Sequence, residues 1–191
     1  MSNFESLVAV AESHPIVGWD FSWLDDRLTT TSLNWSYEEF VVDLVKGSPN
    51  MLDMDTGGGE WLSGLPKRSP MTVATESWPP NTPVAAKRLK PFGISVVQVE
   101  PAPDNSEQTP SESRGRLPFA DEFFHLITNR HASFLASEVS RVLARGGTFI
   151  TQQLGCEGSY AEVFEALEVS PPAPSRPWNL GEAVRQVEGS G

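Results

Sequence analysis

The sequence predicts an α/β fold, a doubly wound and mainly parallel sheet of about five strands with helices on both faces. Two observations carry that reading. Helix-like and strand-like patterns alternate along the chain, the order that builds parallel sheets. Three successive glycines, Gly57, Gly58 and Gly59, follow directly on the first apolar strand, where such a sheet hands over to its helix. The length of 191 residues, with 39% hydrophobic and 20% charged residues, suits one soluble domain with a single core.

We divide the chain into an aromatic N-terminal arm with a first helix, residues 1–48, and a core over residues 49–191. The arm carries Trp19, Phe21, Trp23, Trp35 and Tyr37. It is expected to pack on the domain, with a lid over a ligand as the alternative. Ser36 and Glu39 form a capping-box pattern that opens a helix through Val45, closed by Gly47. The strand "NMLDM" (50–54) follows, then the glycine turn. A short helix, "EWLSGL" (60–65), ends at Pro66, and "MTVAT" (71–75) is the second strand.

"NTPVAAKRLKPFG" (81–93) offers an Asn or Thr cap, Pro83 in the first turn and a glycine stop, so it is the crossover helix to "ISVVQV" (94–99). Residues 100–116 are rich in Pro, Ser and Glu without apolar periodicity and predict a surface loop. "EFFHLIT" (122–128) is the fourth strand, "FLASEVSRVLARGG" (134–147) a helix with a glycine stop, and "TFITQQL" (148–154) the fifth strand. Two helices close the chain, at 160–168 and at 179–188, the second opened by Asn179 with Glu182.

The net charge of -11 argues against nucleic acid as a partner, because phosphate neutralisation needs clustered Lys and Arg. The one dense basic group, "AAKRLK", reads as a solvated helix face. No apolar run reaches the ~18 residues of a membrane span. The N-terminus lacks a basic region before its short apolar stretch, so a cytoplasmic location is expected. The single cysteine, Cys156, has no disulfide or CxxC partner, and no metal site is expected.

Glycine lets a ligand lie against the backbone, and the helix that follows offers free N–H groups to it. A strand, a glycine turn and an acid about 20 positions on, at the end of strand two, are shared by nucleoside cofactor sites. Glu76 is that acid, suited to accept hydrogen bonds from both ribose hydroxyls. A nicotinamide dinucleotide site wants G-x-G-x-x-G with its pyrophosphate on the helix N-terminus. Here the turn reads D-T-G-G-G-E. Asp53, Asp55 and Glu60 would repel a pyrophosphate and attract the ammonium and sulfonium of S-adenosylmethionine.

From about Trp19 to Gln186 the chain resembles the class I S-adenosylmethionine-dependent methyltransferases. "LDMDTGGGEWL" is similar to their first motif, "VATESWPP" to the second-strand acid, "LPFADEFFHLITNRH" to the segment through strand four, and "SRVLARGGTFITQQLG" to the helix and fifth strand. The resemblance implies a Rossmann-like fold and S-adenosylmethionine as cofactor. It places Asp53 and the backbone of Asp55, Thr56, Gly57, Gly58 and Gly59 around the methionine part, Glu76 on the ribose, and Ser77 and Trp78 beside the adenine. Glu100, with Asp104 as a substitute, takes the adenine edge. Asn129, Arg130 and His131 stand near the reactive methyl group, and His131 is the candidate base for acceptors that must lose a proton.

Three features depart from the family pattern. Asp55 replaces its first glycine, and His125 stands where "FDLI" is usual. The strand 6/7 hairpin that normally flanks strand five is not found in this sequence. That leaves strand five as an edge, through which a homodimer is expected. The implied activity is methyl transfer to a small-molecule acceptor. The alternative is a catalytically impaired methyltransferase-like protein that binds cofactor or a partner chain.

Overall fold

The computed structural model describes residues 3–15, 17–18, 22–24, 29, 31–105, 114–154, 161–170 and 178–190. The expectations for Trp19, Phe21, Cys156, Tyr160 and the segments 106–113 and 171–177 lie outside these residues. In chain order the elements are α1 (Asn3–Ser13), α2 (Tyr37–Val45), β1 (Asn50–Met54), α3 (Glu60–Gly64), β2 (Met71–Glu76), α4 (Asn81–Leu89), β3 (Ser95–Gln98), β4 (Phe124–Arg130), α5 (Ala136–Val142), β5 (Leu143–Gln152), α6 (Ala161–Ala166) and α7 (Leu180–Glu188).

The five strands form one sheet in the order β3-β2-β1-β4-β5, and every pairing is parallel. β1 is central, with Leu52 opposite Val73 on one side and Ile127 on the other. Successive residues of a strand point to opposite faces, and both faces of this one are buried. Met51 belongs to a core with Val41 of α2, Leu62 of α3, and Ala85 and Leu89 of α4. Leu52 and Met54 belong to a second core with Val139 and Val142 of α5, Phe134, and Trp178 just before α7. The doubly wound α/β sheet expected from the sequence is the fold observed.

Ser36 caps α2, accepting from the Glu39 N–H at 3.2 Å. Asn179 caps α7, accepting from the Glu182 N–H at 3.0 Å. Elsewhere tertiary contacts moved the boundaries. Asn81 lies inside α4, which Pro80 precedes without a side-chain cap. The Asn81 Oδ1 instead accepts the N–H of Gly18 from the N-terminal arm at 3.2 Å. The helix expected over 134–147 stops at Val142, and β5 begins five residues earlier than expected. Its last turn is intercepted: Glu122 and Phe123 donate backbone N–H groups to the carbonyls of Arg141 and Val142 at 2.8 and 2.9 Å. Leu143 then pairs with Phe124, and the register shifts before Thr148 pairs with Leu126. Gly146, at φ +73°, lies within that shift. The helix α1 was not anticipated; its Phe4, Leu7 and Val10 are exposed.

Candidate active site

The carboxyl ends of β1, β2 and β4 converge beside the glycine turn, the crevice where open α/β sheets bind ligands. Asp53, on β1, is only 3% exposed. The Thr128 hydroxyl of β4 donates to its Oδ1 at 2.7 Å. Burial pushes the Asp53 carboxyl up to about 6, opposed by the Thr128 hydrogen bond, the nearby Thr56 hydroxyl and the Arg130 charge. Thr56 Oγ1 is itself buried and makes no well-formed hydrogen bond, so its effect on Asp53 is one of proximity.

Asp55 sits at φ +51°, the left-handed backbone that aspartate tolerates better than most residues. Its N–H donates to Thr75 Oγ1 at 3.3 Å, and the next N–H, of Thr56, donates to the Thr75 carbonyl at 2.9 Å. These bonds fold the turn back onto β2. Burial raises the Asp55 carboxyl while hydrogen bonds from Ser77 hold it down. Its Oδ1 is buried without a partner.

Glu76 ends β2 and is 3% exposed. The Gly57 N–H donates to its Oε2 at 2.6 Å and the Trp78 N–H to its Oε1 at 2.9 Å. Each carboxylate oxygen has capacity for a further donor. Burial and then the Asp55 charge raise the Glu76 carboxyl, against the backbone hydrogen bonds from Trp78 and Gly57. The glycines make this close approach feasible. Gly59 lies at φ +79°, and a Cβ there would press on Leu89. A Cβ on Gly58 would strike the Glu60 carboxylate, which pairs with Arg88 of α4.

Two cavities flank these groups. One of about 480 Å³ is lined by Asp53, Asp55, Thr56, Glu60, Trp61, Arg130 and His131. The other, of about 330 Å³, is lined by Asp55, Glu76, Ser77, Trp78 and Asn81, together with Pro101, Arg130 and His131. Asp55, Arg130 and His131 belong to both, so the two form a continuous trough across the sheet end.

Of the sequence-selected residues, Asp53, Asp55, Thr56, Glu76, Ser77, Trp78, Arg130 and His131 line this trough, and the three glycines form the turn beneath it. Asn129 and Glu100 do not line it. Asn129 is fully buried, and its Oδ1 accepts from Thr151 Oγ1 at 2.9 Å and Gln153 Nε2 at 2.6 Å, tying β4 to the end of β5. Glu100 is exposed, and Pro101 lines the trough beside it. His131 has φ +60° and is anchored by its N–H to the Gln152 carbonyl at 2.8 Å. Burial and then the Arg130 charge lower its pKa.

Sequence reasoning missed Thr128 and Thr75 as partners of the two aspartates, although both stand in the quoted strands. It also missed Tyr37 as a strand clip. The Tyr37 hydroxyl donates to the carbonyls of Asn129 and Ile150 and accepts the Asn129 N–H, at 3.0 to 3.1 Å. No local signal marks a contact 92 residues away. Among the described residues no cluster of three or more His, Cys, Asp or Glu side chains could hold a metal, and no helix is long and apolar enough to cross a membrane.

Strand order and parallel pairing define a doubly wound α/β fold with a carboxylate-rich crevice at the carboxyl ends of its strands. Comparison with solved structures narrows it to the class I S-adenosylmethionine-dependent methyltransferase fold. No protein-family model and no curated protein matches the chain. A provisionally assigned methyltransferase from Bacillus halodurans matches at 24% identity and TM-score 0.55, over 81% of this chain and 66% of that one. A SAM-dependent methyltransferase from Aquifex aeolicus matches at 16% identity and TM-score 0.53, over 91% and 88%. The geranyl diphosphate C-methyltransferase of Streptomyces coelicolor, solved with S-adenosyl-L-homocysteine, matches at 15% identity and TM-score 0.55, over 80% and 55%. The chain thus spans just under two thirds of the length of the Bacillus halodurans protein.

Proposed function

We propose that the protein binds S-adenosylmethionine in the trough and transfers its methyl group to a small-molecule acceptor. The observation that carries this reading is the trio of carboxylates at two strand ends, buried Asp53 facing one cavity, buried Glu76 the other and half-buried Asp55 both. Asp53 and Asp55 are held at raised pKa with an orphaned Asp55 oxygen, an arrangement that a cationic ligand relieves. Glu76, fixed by two backbone N–H groups, presents its remaining lone pairs to a diol such as ribose. The neighbouring proteins solved with S-adenosyl-L-homocysteine or sinefungin support the same cofactor class.

When bound, S-adenosylmethionine supplies a methyl group already activated on sulfur, so the protein's part is mostly positioning. The glycine turn, free of side chains, lets the ligand lie against the backbone, Asp53 and Asp55 balance its positive charge, and Glu76 orients the ribose. Trp78 stands at the open end of the trough beside the place for a base. His131, whose lowered pKa keeps it neutral at pH 7, can take a proton from an acceptor hydroxyl or amine. The geranyl diphosphate enzyme acts on a small molecule, which supports that acceptor class here.

The test is calorimetric titration of the folded chain with S-adenosylmethionine, S-adenosylhomocysteine and NAD. We expect saturable binding of the first two and a loss of tenfold or more in Glu76→Ala, the size of one or two hydrogen bonds to a charged group. Glu76→Gln retains one acceptor oxygen and should fall between. Tight NAD binding without S-adenosylmethionine binding would overturn the assignment.

A further inference from the structure

A third cavity, of about 370 Å³, opens beside the trough and is lined by Leu33, Trp35, Tyr37, Trp61, Arg130 and Gln152, with Ser32, Ser36 and Glu38 at its polar edge. It shares Trp61 and Arg130 with the Asp53 cavity, so whatever it holds lies next to the trough. The Tyr37 and Trp61 rings are 5.4 Å apart at 49°. The Arg130 guanidinium lies 5.7 Å from the first ring centroid and 5.5 Å from the second. Its Nε donates to Gln152 Oε1 at 3.2 Å, which fixes the fork against the two rings. Among the described residues Arg130 has no carboxylate within ion-pair distance, and its terminal nitrogens have no hydrogen-bond acceptor.

We propose that this cavity is the acceptor subsite and takes a planar, apolar molecule carrying one carboxylate, with the ring system against Trp35 and Trp61 and the carboxylate on Arg130. The inference rests on the proposed function for its link to methyl transfer. The aromatic walls select flat apolar surface. A guanidinium without a carboxylate partner, held in a fixed orientation, is suited to a bidentate carboxylate. A cationic acceptor would meet a like charge already occupying the ring faces. A diphosphate would bring two or more charges to one guanidinium. The size agrees as well, since small-ligand pockets run from about 300 Å³ upwards.

The test measures binding of 2-naphthoate, its neutral amide 2-naphthamide and the cation 2-naphthylmethylammonium to the full chain, with and without saturating S-adenosylhomocysteine. The expected order is the carboxylate at least tenfold tighter than the amide, with the cation weakest. Trp35→Ala, which lines only the aromatic cavity, should weaken the carboxylate severalfold and leave S-adenosylhomocysteine affinity unchanged. Arg130→Gln should remove the preference for carboxylate over amide. Equal binding of acid and amide, or no binding of the acid to protein that binds S-adenosylhomocysteine, overturns the subsite. So does an Arg130→Gln variant that loses S-adenosylhomocysteine while keeping the acid preference, because the guanidinium would then serve the cofactor's own carboxylate. Naphthoate bound with the expected selectivity but no S-adenosylhomocysteine binding would leave the subsite standing and sink the methyltransferase reading instead.

Discussion

Asp53→Asn changes one heavy atom in a buried carboxylate of the site, and its effect should depend on pH in a defined direction. The wild-type carboxyl titrates at about 6 in the folded chain against 3.8 ordinarily. The folded state therefore holds the proton over a window in which the unfolded state has released it. Stability from this group is present below about pH 4 and is lost as pH rises to 6 and above. A rise of about two pH units corresponds to about 3 kcal/mol. The asparagine has no charge to desolvate, and its amide oxygen can still accept from Thr128. Any cost of placing its NH2 group is the same at every pH. The stability difference, variant minus wild type, should thus grow by about 2 kcal/mol between pH 4 and pH 7, whatever its value at pH 4. Urea unfolding followed by circular dichroism at half-unit intervals measures it. A difference that is flat across that range, or that shrinks as pH rises, would refute the assignment of a destabilising buried charge to Asp53.

The same linkage predicts that S-adenosylmethionine binding tightens as pH rises through 6, with proton release at pH 6 detectable as a binding heat that varies with buffer. For methyl transfer to a hydroxyl or amine at saturating S-adenosylmethionine, the acid limb of the pH–rate profile should have its midpoint below 6.5, because His131 is depressed, and should vanish in His131→Asn. Gly59→Ala forces a left-handed backbone and a Cβ within 2.9 Å of Leu89 Cγ, for a loss of about 2 kcal/mol. Gly47→Ala, with nothing within 4 Å of the added carbon, should be near neutral, and urea unfolding of the two variants measures the contrast. Tyr37→Phe strands the Asn129 N–H and the Ile150 carbonyl, and a loss of about 1–3 kcal/mol in urea unfolding is expected.

Much of the architecture was legible because it depends on local chemistry. The short apolar run in "NMLDM" marks a strand, Ser36 and Asn179 are caps by residue type, and Gly59 answers a backbone need that can be read one residue at a time. The elements that shifted are those whose ends are set from a distance. "VLAR" is a good helical sequence, yet α5 stops at Val142 because amides of Glu122 and Phe123 reach its last carbonyls and Leu143 finds Phe124 to pair with. Asn81 suits a cap by type and is instead drawn into α4, its side chain holding Gly18.

The candidate site divides in the same way. The sequence by itself determined which acids and glycines lie at the strand ends, since their positions follow from the strand pattern. Tertiary structure alone decided what each does there. It buried Asp53 against Thr128, turned Asn129 away from the trough to tie β4 to β5, and left Arg130 against two aromatic rings without a carboxylate in ion-pair reach. Burial, hydrogen-bond partners and the company of a charge are set by residues 20 to 90 positions away along the chain, and local propensity carries no information about them.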